Sequence, residues 1–282
     1  MKRCASLTAL CALALCQHGA LCQHATAAII QEFLFNDAAG TNIVSTANTA
    51  PGGDSWYDDL QGDLAGLATN GLGQYATAAK TNLNTGDAFI AVDPDITTGA
   101  VYGVIDVTWA FDVASYNSAE PEEVRLTLVG ANTSGSSTVT AELAIVRSGA
   151  SAVRFSGTAV GTGSSNIAAV PLPNLVQSQK FIAVVAAGLD NDTYNVSYSA
   201  DGGATFTTLT GGALDPARGF LQARMRLNND LSQDAVLIDR VAFYDFNPYP
   251  GLIPNVPEPV TATLVAIGVA ALAMVSRRTS ER

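Results

Sequence analysis

The chain has 282 residues and a formal net charge of −11, and its four cysteines and two histidines all lie within the first 24 residues. Residues 28–257 carry 23 acidic and 9 basic side chains, a net charge of −14, so they offer no basic patch that could neutralise nucleic-acid phosphates. The same residues exclude disulfide bonds, Cys/His zinc sites and histidine-based catalysis.

The N-terminus has the three parts of a secretory signal peptide. Lys2-Arg3 precedes an apolar core from Ala5 to Leu15, and Ala25 and Ala27 provide the small residues of a cleavage site. We expect signal peptidase to cut after Ala27, so that residues 1–27 are removed and the mature chain is exported.

Residues 45–87 lack a regular apolar pattern and predict loops with short edge strands. Within them, Trp56, Tyr57, Asp58 and Asp59 place two aromatic rings beside two carboxylates in a polar segment. Rings with one apolar face and polar neighbours suit stacking on sugars, so these four residues form a candidate ligand-binding site. The alternative is a loop aromatic that packs down on the protein body.

From residue 101 onwards, apolar and polar residues alternate with a period of two, which predicts strands with one buried face. Residues 181–187 are apolar throughout, as in a strand covered on both faces. The connections 131–137, 157–166 and 211–219 are rich in Gly, Ser, Thr and Asn. The predicted strands, with their expected core residues, are 101–113 (Val101, Ile105, Val107, Trp109, Phe111, Val113), 123–129 (Val124, Leu126, Leu128), 137–147 (Val139, Ala141, Leu143, Ile145), 220–227 (Leu221, Ala223, Met225, Leu227) and 236–244 (Leu237, Val241, Phe243).

No segment has a convincing amphipathic helical pattern. Short strands separated by turn-rich connections predict an all-β fold, a jelly-roll β-sandwich over residues 28–247. The five glutamates of residues 28–257 are expected to be solvated, including Glu123 beside a predicted turn and Glu142 on the face opposite Leu143 and Ile145.

A tight hairpin turn is predicted at residues 199–206. Ser199, Asp201, Gly203, Thr205 and Phe206 fit the Asp-box pattern Ser-x-Asp-x-Gly-x-Thr-aromatic. Asp201 can bond to the turn backbone, glycine allows positive φ, and Phe206 can pack under the turn. Sialidases repeat this motif in several propeller blades, whereas one copy occurs here, so the expected role is structural.

Three oxygen-rich clusters are candidate calcium sites, because hard cations prefer such ligands. They are Asp93 with Asp95, Asp54 with Asp58 and Asp59, and Asp190-Asn191-Asp192. None completes an EF-hand, and turn-forming aspartates are the alternative. No other cofactor is expected.

Gln31–Asn36 near the mature start and Leu237–Tyr244 near its end resemble the opening and closing strands of concanavalin A-like (LamG-like) jelly rolls. The resemblance spans residues 29–246 and implies that the two strands pair in one sheet. Glucanases of that fold carry Glu-x-Asp-x-x-Glu and its lyases usually use a His/Tyr pair, but residues 28–257 contain neither. A noncatalytic body is therefore expected.

The C-terminal segment begins with Val256, Pro257, Glu258 and Pro259, continues as an apolar run to Val275, and ends with a basic cluster that includes Arg277 and Arg278. It resembles the PEP-CTERM sorting tail, which the membrane protease exosortase cuts near Pro-Glu-Pro. The alternative is an ordinary C-terminal transmembrane helix after a proline-rich linker at 248–255. In both cases the basic end predicts that the body lies outside the cytoplasm.

Together these patterns predict an exported, noncatalytic protein of the cell surface or extracellular matrix, anchored through residues 256–282 before processing. The expected partners are signal peptidase, an exosortase-type protease, the membrane and extracellular polysaccharide. The alternatives are a specific, calcium-assisted carbohydrate-binding module and a polysaccharide hydrolase or lyase with an unfamiliar site.

The first prediction concerns processing. In an exosortase-bearing host, the intact mass of the protein from envelope and medium should match a chain that starts at Ala28 and ends near Pro257. The variant with Pro257→Ala, Glu258→Ala and Pro259→Ala should keep its tail, because the recognised motif is gone. A mass that runs to Arg282 for both proteins, found only in membranes, would contradict the sorting interpretation.

Overall fold

The computed structural model describes residues 28–58, 68–69, 75–76, 86–110, 123–131, 137–149, 152–159, 163–166, 170–171, 179–214, 219–228 and 235–252. Within these residues lie sixteen strands and one 3-10 helix, Ile43–Ser45. The strands are β1 (Ile29–Phe33), β2 (Tyr57–Asp58), β3 (Ala68–Thr69), β4 (Tyr75–Ala76), β5 (Gly86–Ile96), β6 (Ala100–Ala110), β7 (Glu123–Ala131), β8 (Ser137–Gly149), β9 (Ala152–Ala159), β10 (Gly163–Asn166), β11 (Val170–Pro171), β12 (Gln179–Gly188), β13 (Thr193–Ser199), β14 (Thr207–Ala213), β15 (Phe220–Asn228) and β16 (Ala235–Tyr244).

The strands form two antiparallel sheets packed face to face. Sheet A has the order β14-β13-β12-β6-β16-β4-β3, and β1 also pairs with β16. Sheet B has the order β10-β9-β8-β7-β15-β5-β2, and β11 pairs with β9. The predicted all-β fold is confirmed. So is the pairing of the opening and closing strands, since Phe33 of β1 lies opposite Val241 of β16.

The core lies between the two sheets, and strand alternation gives each strand one face in it. In β6 the row of core side chains is interrupted at Gly103, where a Cβ would lie within 3.3 Å of Leu126 and Leu128 of sheet B. The missing side chain therefore lets the sheets approach closely. Predicted core residues that the structure places there are Val101, Ile105, Val107, Trp109, Val124, Leu126, Leu128, Ala141, Leu143, Ile145, Ala223, Met225, Val241 and Phe243.

Strand β15 departs from the predicted alternation at its start. Phe220 is fully buried and Leu221 is half-buried, although the sequence pattern predicts the reverse. The pairing register shifts between Phe220 and Gln222, which marks a β-bulge. One inserted residue reverses the alternation, so the prediction of Leu221 as a core residue was wrong.

Several strands lie where the sequence pattern predicts connections or gives no prediction. The predicted connection 157–166 contains the end of β9 and all of β10, and residues 211–213 belong to β14.

Strand β12 is buried over 181–187 on both faces, as predicted. The predicted core residues Phe111 and Val113 lie outside the described residues.

No helix within the described residues is long and apolar enough to cross a membrane. The predicted signal peptide, with Ala25 and Ala27, and the predicted tail, with residues 256–259, Arg277 and Arg278, lie outside that part of the chain. Their roles remain expectations from the sequence.

Gly130 provides a test of how β7 and β8 pack. A Cβ at this position would lie 2.2 Å from the carbonyl oxygen of Gly219 and 2.3 Å from Oγ1 of Thr140. Thr140 donates to that carbonyl at 2.8 Å, so none of these groups can yield without breaking the bond. Gly130→Ala should lower the free energy of unfolding by about 2 kcal/mol or more.

Urea unfolding measures this loss. The control is Gly212→Ala on β14, where a Cβ would lie 3.2 Å from the ring edge of Tyr194, a far smaller overlap than at Gly130. Equal urea midpoints for the two variants would contradict the packing described for Gly130.

Candidate binding face on sheet A

Arg240 lies on the outer face of sheet A, directly after a β-bulge in β16. The register shifts between Ile238 and Arg240, which places Ile238 in the core and Arg240 opposite Asp106 of β6. The sequence pattern predicts Leu237 as the core residue here. That prediction was wrong, because the bulge reverses the alternation in this half of the strand.

Arg240 is the centre of a polar group that also contains Glu32, Asp106, Tyr244 and Tyr249, which we call the Arg240 cluster. Its Nη2 lies 3.3 Å from Oδ1 of Asp106 and donates to the hydroxyl of Tyr249. Its Nη1 donates to the hydroxyl of Tyr244 at 3.2 Å and lies 3.9 Å from Oε1 of Glu32. One guanidinium thus joins β1, β6, β16 and the segment after β16.

Burial shifts the protonation of this cluster. It raises the pKa of Asp106, and the attraction of Arg240 only partly offsets this. It raises the pKa of Tyr244 to about 12 and raises that of Tyr249 as well. For Arg240, burial acts to lower the pKa, but Asp106, Tyr249 and Tyr244 together raise it above its ordinary value. At neutral pH the cluster therefore contains the Arg240 cation and two neutral phenols beside the carboxyl groups of Asp106 and Glu32.

Residues 246–252, which we call the strap, cross this face after β16 ends. Asn247 fixes their conformation, because its Oδ1 accepts from the Tyr249 amide at 3.1 Å and its Nδ2 donates to the Leu252 carbonyl at 3.0 Å. The predicted linker 248–255 therefore begins within the packed domain. The strap completes an apolar outer cluster of Ala100, Tyr102, Val104, Ile182, Val184, Ala186, Ala242, Tyr244 and Leu252, against which Phe206, Phe246 and Tyr249 pack.

The turn between β13 and β14 is held by the Asp-box side chains. Oδ1 of Asp201 accepts from the Ser199 hydroxyl at 2.6 Å and from the Thr205 amide at 2.9 Å. Oδ2 accepts from the Thr205 hydroxyl at 2.5 Å. The bonds from Ser199 and Thr205 hold the pKa of Asp201 well below its ordinary value.

This turn also supports the strap. The Phe206 ring packs on that of Tyr249 with centroids 4.9 Å apart. Gly203 has a φ of 91°, and a Cβ there would lie 3.0 Å from the Tyr249 ring. Backbone conformation and close contact therefore both favour glycine at position 203.

Side chains that a ligand could reach lie at one end of the Arg240 cluster. Nζ of Lys180 lies 3.3 Å from Oδ2 of Asp239, which also accepts from the hydroxyl of Thr108 at 3.0 Å. The Lys180 side chain is 59% exposed and that of Arg240 is 22% exposed. Donors, acceptors and partly exposed rings therefore occur together on this face.

Trp56 lies elsewhere, and its environment differs from the predicted one. The indole is 2% exposed, and its ring centroid lies 5.0 Å from that of Phe33. The prediction of an exposed stacking platform at Trp56 was wrong, because the ring packs into the core. Tyr57 and Asp58 form β2, which pairs with β5. Their side chains and Asp59 lie outside the described part of the chain.

Of the predicted calcium clusters, those at Asp93/Asp95 and Asp54/Asp58/Asp59 include side chains outside the described residues, and Asp190-Asn191-Asp192 stabilises turns. Oδ1 of Asp190 accepts from the Gly99 amide at 3.0 Å, and Oδ1 of Asn191 accepts from the Thr193 hydroxyl at 2.8 Å. Asp192 has a φ of 51°, as turn residues often do. Among the described residues, no group of three Cys, His, Asp or Glu side chains could hold a metal ion.

Glu142 is buried on the outer face of sheet B, although it was predicted to be solvated. It is 4% exposed and accepts from Arg125 at 2.8 Å, from Thr127 at 2.8 Å and from Arg224 at 3.4 Å. Glu123, 7% exposed, lies 3.0 Å from Arg125. Both predictions were wrong, because Arg125 on β7 contacts both carboxylates and Arg224 on β15 also contacts that of Glu142.

Sequence reasoning missed the Arg240 cluster. Two features of the sequence point to it. Asp106 lies on the polar face of the predicted strand 101–113, and the closing strand contains an arginine. Only the pairing register of β6 with β16 shows that Asp106 and Arg240 meet.

Neither a family model nor a curated protein matches this chain. Among solved structures it is similar to the CBM2 module of Lactobacillus casei BL23 phage J-1 evolved Dit, with 16% identity, a TM-score of 0.47 and coverage of 79% of this chain and 98% of that chain. It is also similar to a carbohydrate esterase from Shiga toxin-encoding bacteriophage phi24B, with 12% identity, a TM-score of 0.43 and coverage of 77% of this chain and 98% of that chain. For peanut lectin the identity is 14%, the TM-score is 0.38, and the match covers 67% of this chain and 90% of that chain. These likenesses concern the fold alone.

The raised pKa of Tyr244 predicts a loss of stability at alkaline pH. An unfolded tyrosine loses its proton near pH 10, whereas Tyr244 keeps its proton in the folded chain until about pH 12. The folded state then binds more protons, so the free energy of unfolding should fall by roughly 2 kcal/mol between pH 10 and 12. Urea unfolding at several pH values measures this slope.

Tyr244→Phe should flatten that slope, and Tyr249→Phe, which removes the second phenol of raised pKa, should remove a further part. If the wild type and both variants keep the same slope, burial of these phenols is not its cause.

Proposed function

We propose that this chain is an exported, noncatalytic protein of the cell surface or extracellular matrix whose body binds exopolysaccharide through the outer face of sheet A. Its C-terminal segment is a PEP-CTERM tail that an exosortase-type protease removes. The signal-peptide pattern, residues 256–259 and the final arginines support delivery to the cell surface.

The observation that carries the binding role is the Arg240 cluster. It combines a guanidinium, two carboxylates and two phenols in one hydrogen-bonded group beside partly exposed rings. Sugars need many directional donors and acceptors together with apolar surface for the faces of their rings. The Arg240 cluster and the partly exposed rings of Phe206, Phe246 and Tyr249 supply both, whereas Trp56 is buried.

The noncatalytic role is supported by the residues available. Residues 28–257 lack histidine and cysteine. Asp106 and Glu32 share the cation Arg240, and Glu142 is bound by Arg125 and Arg224. Carboxylates held by arginine act as structural partners, whereas a hydrolase needs a pair that is positioned on either side of the scissile bond.

The test is binding of the processed protein to purified exopolysaccharide from its exporting host. Arg240→Lys keeps the charge but loses the planar fork that contacts several partners, so affinity should fall at least tenfold. The matched control is Arg226→Lys on β15, whose side chain belongs to the outer face of sheet B, and this variant should bind normally.

Three outcomes would overturn the proposal. If the wild-type protein does not bind the polysaccharide, the binding role is wrong. If Arg240→Lys and Arg226→Lys lose affinity equally, the outer face of sheet A is not the binding surface. A fall in the length of the polysaccharide during incubation would show catalysis and favour the hydrolase or lyase alternative.

A further inference from the structure

Asn195 lies on the same outer face of sheet A, near its other edge. Its neighbours in β13, Tyr194 and Val196, belong to the core cluster, so Asn195 points to the opposite face. It pairs with Ala186 of β12 and Gly211 of β14. Both are small residues, so the cross-strand positions beside the amide hold almost no side chain.

The Asn195 amide is buried without hydrogen bonds. The residue is 0% exposed, and within the described ranges neither Oδ1 nor Nδ2 has a partner. The next polar side chain on this face differs, because the hydroxyl of Ser197 lies 3.0 Å from that of Thr208. A buried polar group without partners destabilises the folded chain, and it is retained chiefly where it has a function.

The chemistry of the amide limits what could satisfy it. Oδ1 accepts and Nδ2 donates, and the two atoms are held side by side in one plane. Two neighbouring hydroxyls of a sugar ring match this pair, because each hydroxyl can both donate and accept. The cross-strand row of Asn195 continues through Ala186 and Tyr102 to Tyr244, which is a member of the Arg240 cluster.

We propose that Asn195 is a glycan-recognition residue that binds two adjacent free hydroxyls of one sugar ring through Oδ1 and Nδ2. This inference rests on the proposed function, since it names the sugar hydroxyls that the same outer face of sheet A binds. Because the amide is buried in the unliganded chain, the cover of this face opens when the glycan binds. The strap packs on the same face, since Leu252 belongs to the outer cluster that also contains Ala186, the cross-strand neighbour of Asn195.

The test compares stability with binding. Asn195→Val suits a strand and removes the unpaired amide, so Tm should rise by about 2–6 °C. Affinity for the purified host exopolysaccharide should fall at least tenfold. Asn195→Ala removes the amide without adding volume and should show the same loss of affinity, even if Val packs poorly.

Thr140→Val is the matched control. Its hydroxyl is equally buried but bonded to the Gly219 carbonyl at 2.8 Å. This variant should lose thermal stability and bind the polysaccharide normally.

Periodate tests the ligand, because it cleaves carbon–carbon bonds between adjacent hydroxyls. Wild-type protein should lose affinity for polysaccharide that has been oxidised with periodate and reduced with borohydride, whereas Asn195→Val should show little further loss.

Each contrary result overturns the inference. If both Asn195 variants lower Tm, the amide has a structural partner. If they bind like wild type, or if periodate treatment does not weaken wild-type binding, Asn195 does not bind adjacent hydroxyls. Sheet A can then still bind glycan through the Arg240 cluster. Wild-type protein that does not bind the host polysaccharide removes both proposals.

Discussion

Strand β6 positions everything on sheet A, because it is paired along its length on both sides. It lies between β12 and β16, and its residues alternate between the core and the outer face. The same register that buries Val107 and Trp109 against sheet B places Tyr102 and Asp106 on the outer face. Alternate residues of one strand thus form the core and the candidate binding face. A shift of the pairing register by one residue would exchange the two sets.

The few basic residues are used as partners for buried carboxylates. Residues 28–257 have nine, of which Arg125 and Arg224 hold Glu142 while Arg240 holds Asp106. A carboxylate taken out of water is costly unless it is paired and hydrogen-bonded. Removing Arg240 would therefore leave the Asp106 carboxyl without its guanidinium partner, whereas Glu142 would lose its pairing only if both Arg125 and Arg224 were removed.

The sequence predicts the sandwich well because alternation with a period of two is a local property. It gives the core residues of β6 and β7, those of β8 from Ala141 onwards but not the half-buried Val139, and the double burial of β12. It fails at Leu221 and Leu237, since a bulge is decided by pairing with the neighbouring strand. It fails also at Glu142, because alternation shows that the side chain leaves the core but not that Arg125 on the adjacent strand β7 and Arg224 on β15 will contact it.

The candidate site depends on contacts that no sequence window contains. Glu32 and Tyr244 are 212 positions apart, yet their side chains are hydrogen-bonded because β1 pairs with β16. The Asp-box turn shows an intermediate case, since its pattern fixes the local bonds of Asp201 but not the contact of Phe206 with Tyr249. Local motifs predict turns, and only the fold shows what the turns support.

The strap links the binding face to the proposed sorting tail. Leu252 is buried against sheet A, and Val256 follows four residues later. A fully extended chain covers at most about 3.6 Å per residue, so Val256 lies within roughly 14 Å of Leu252. If an exosortase-type protease cuts near Pro257, as proposed, it therefore works close to the folded domain. The contacts that hold the strap, Tyr249 on Arg240 and Phe206 on Tyr249, fix the point on sheet A from which the proposed tail extends.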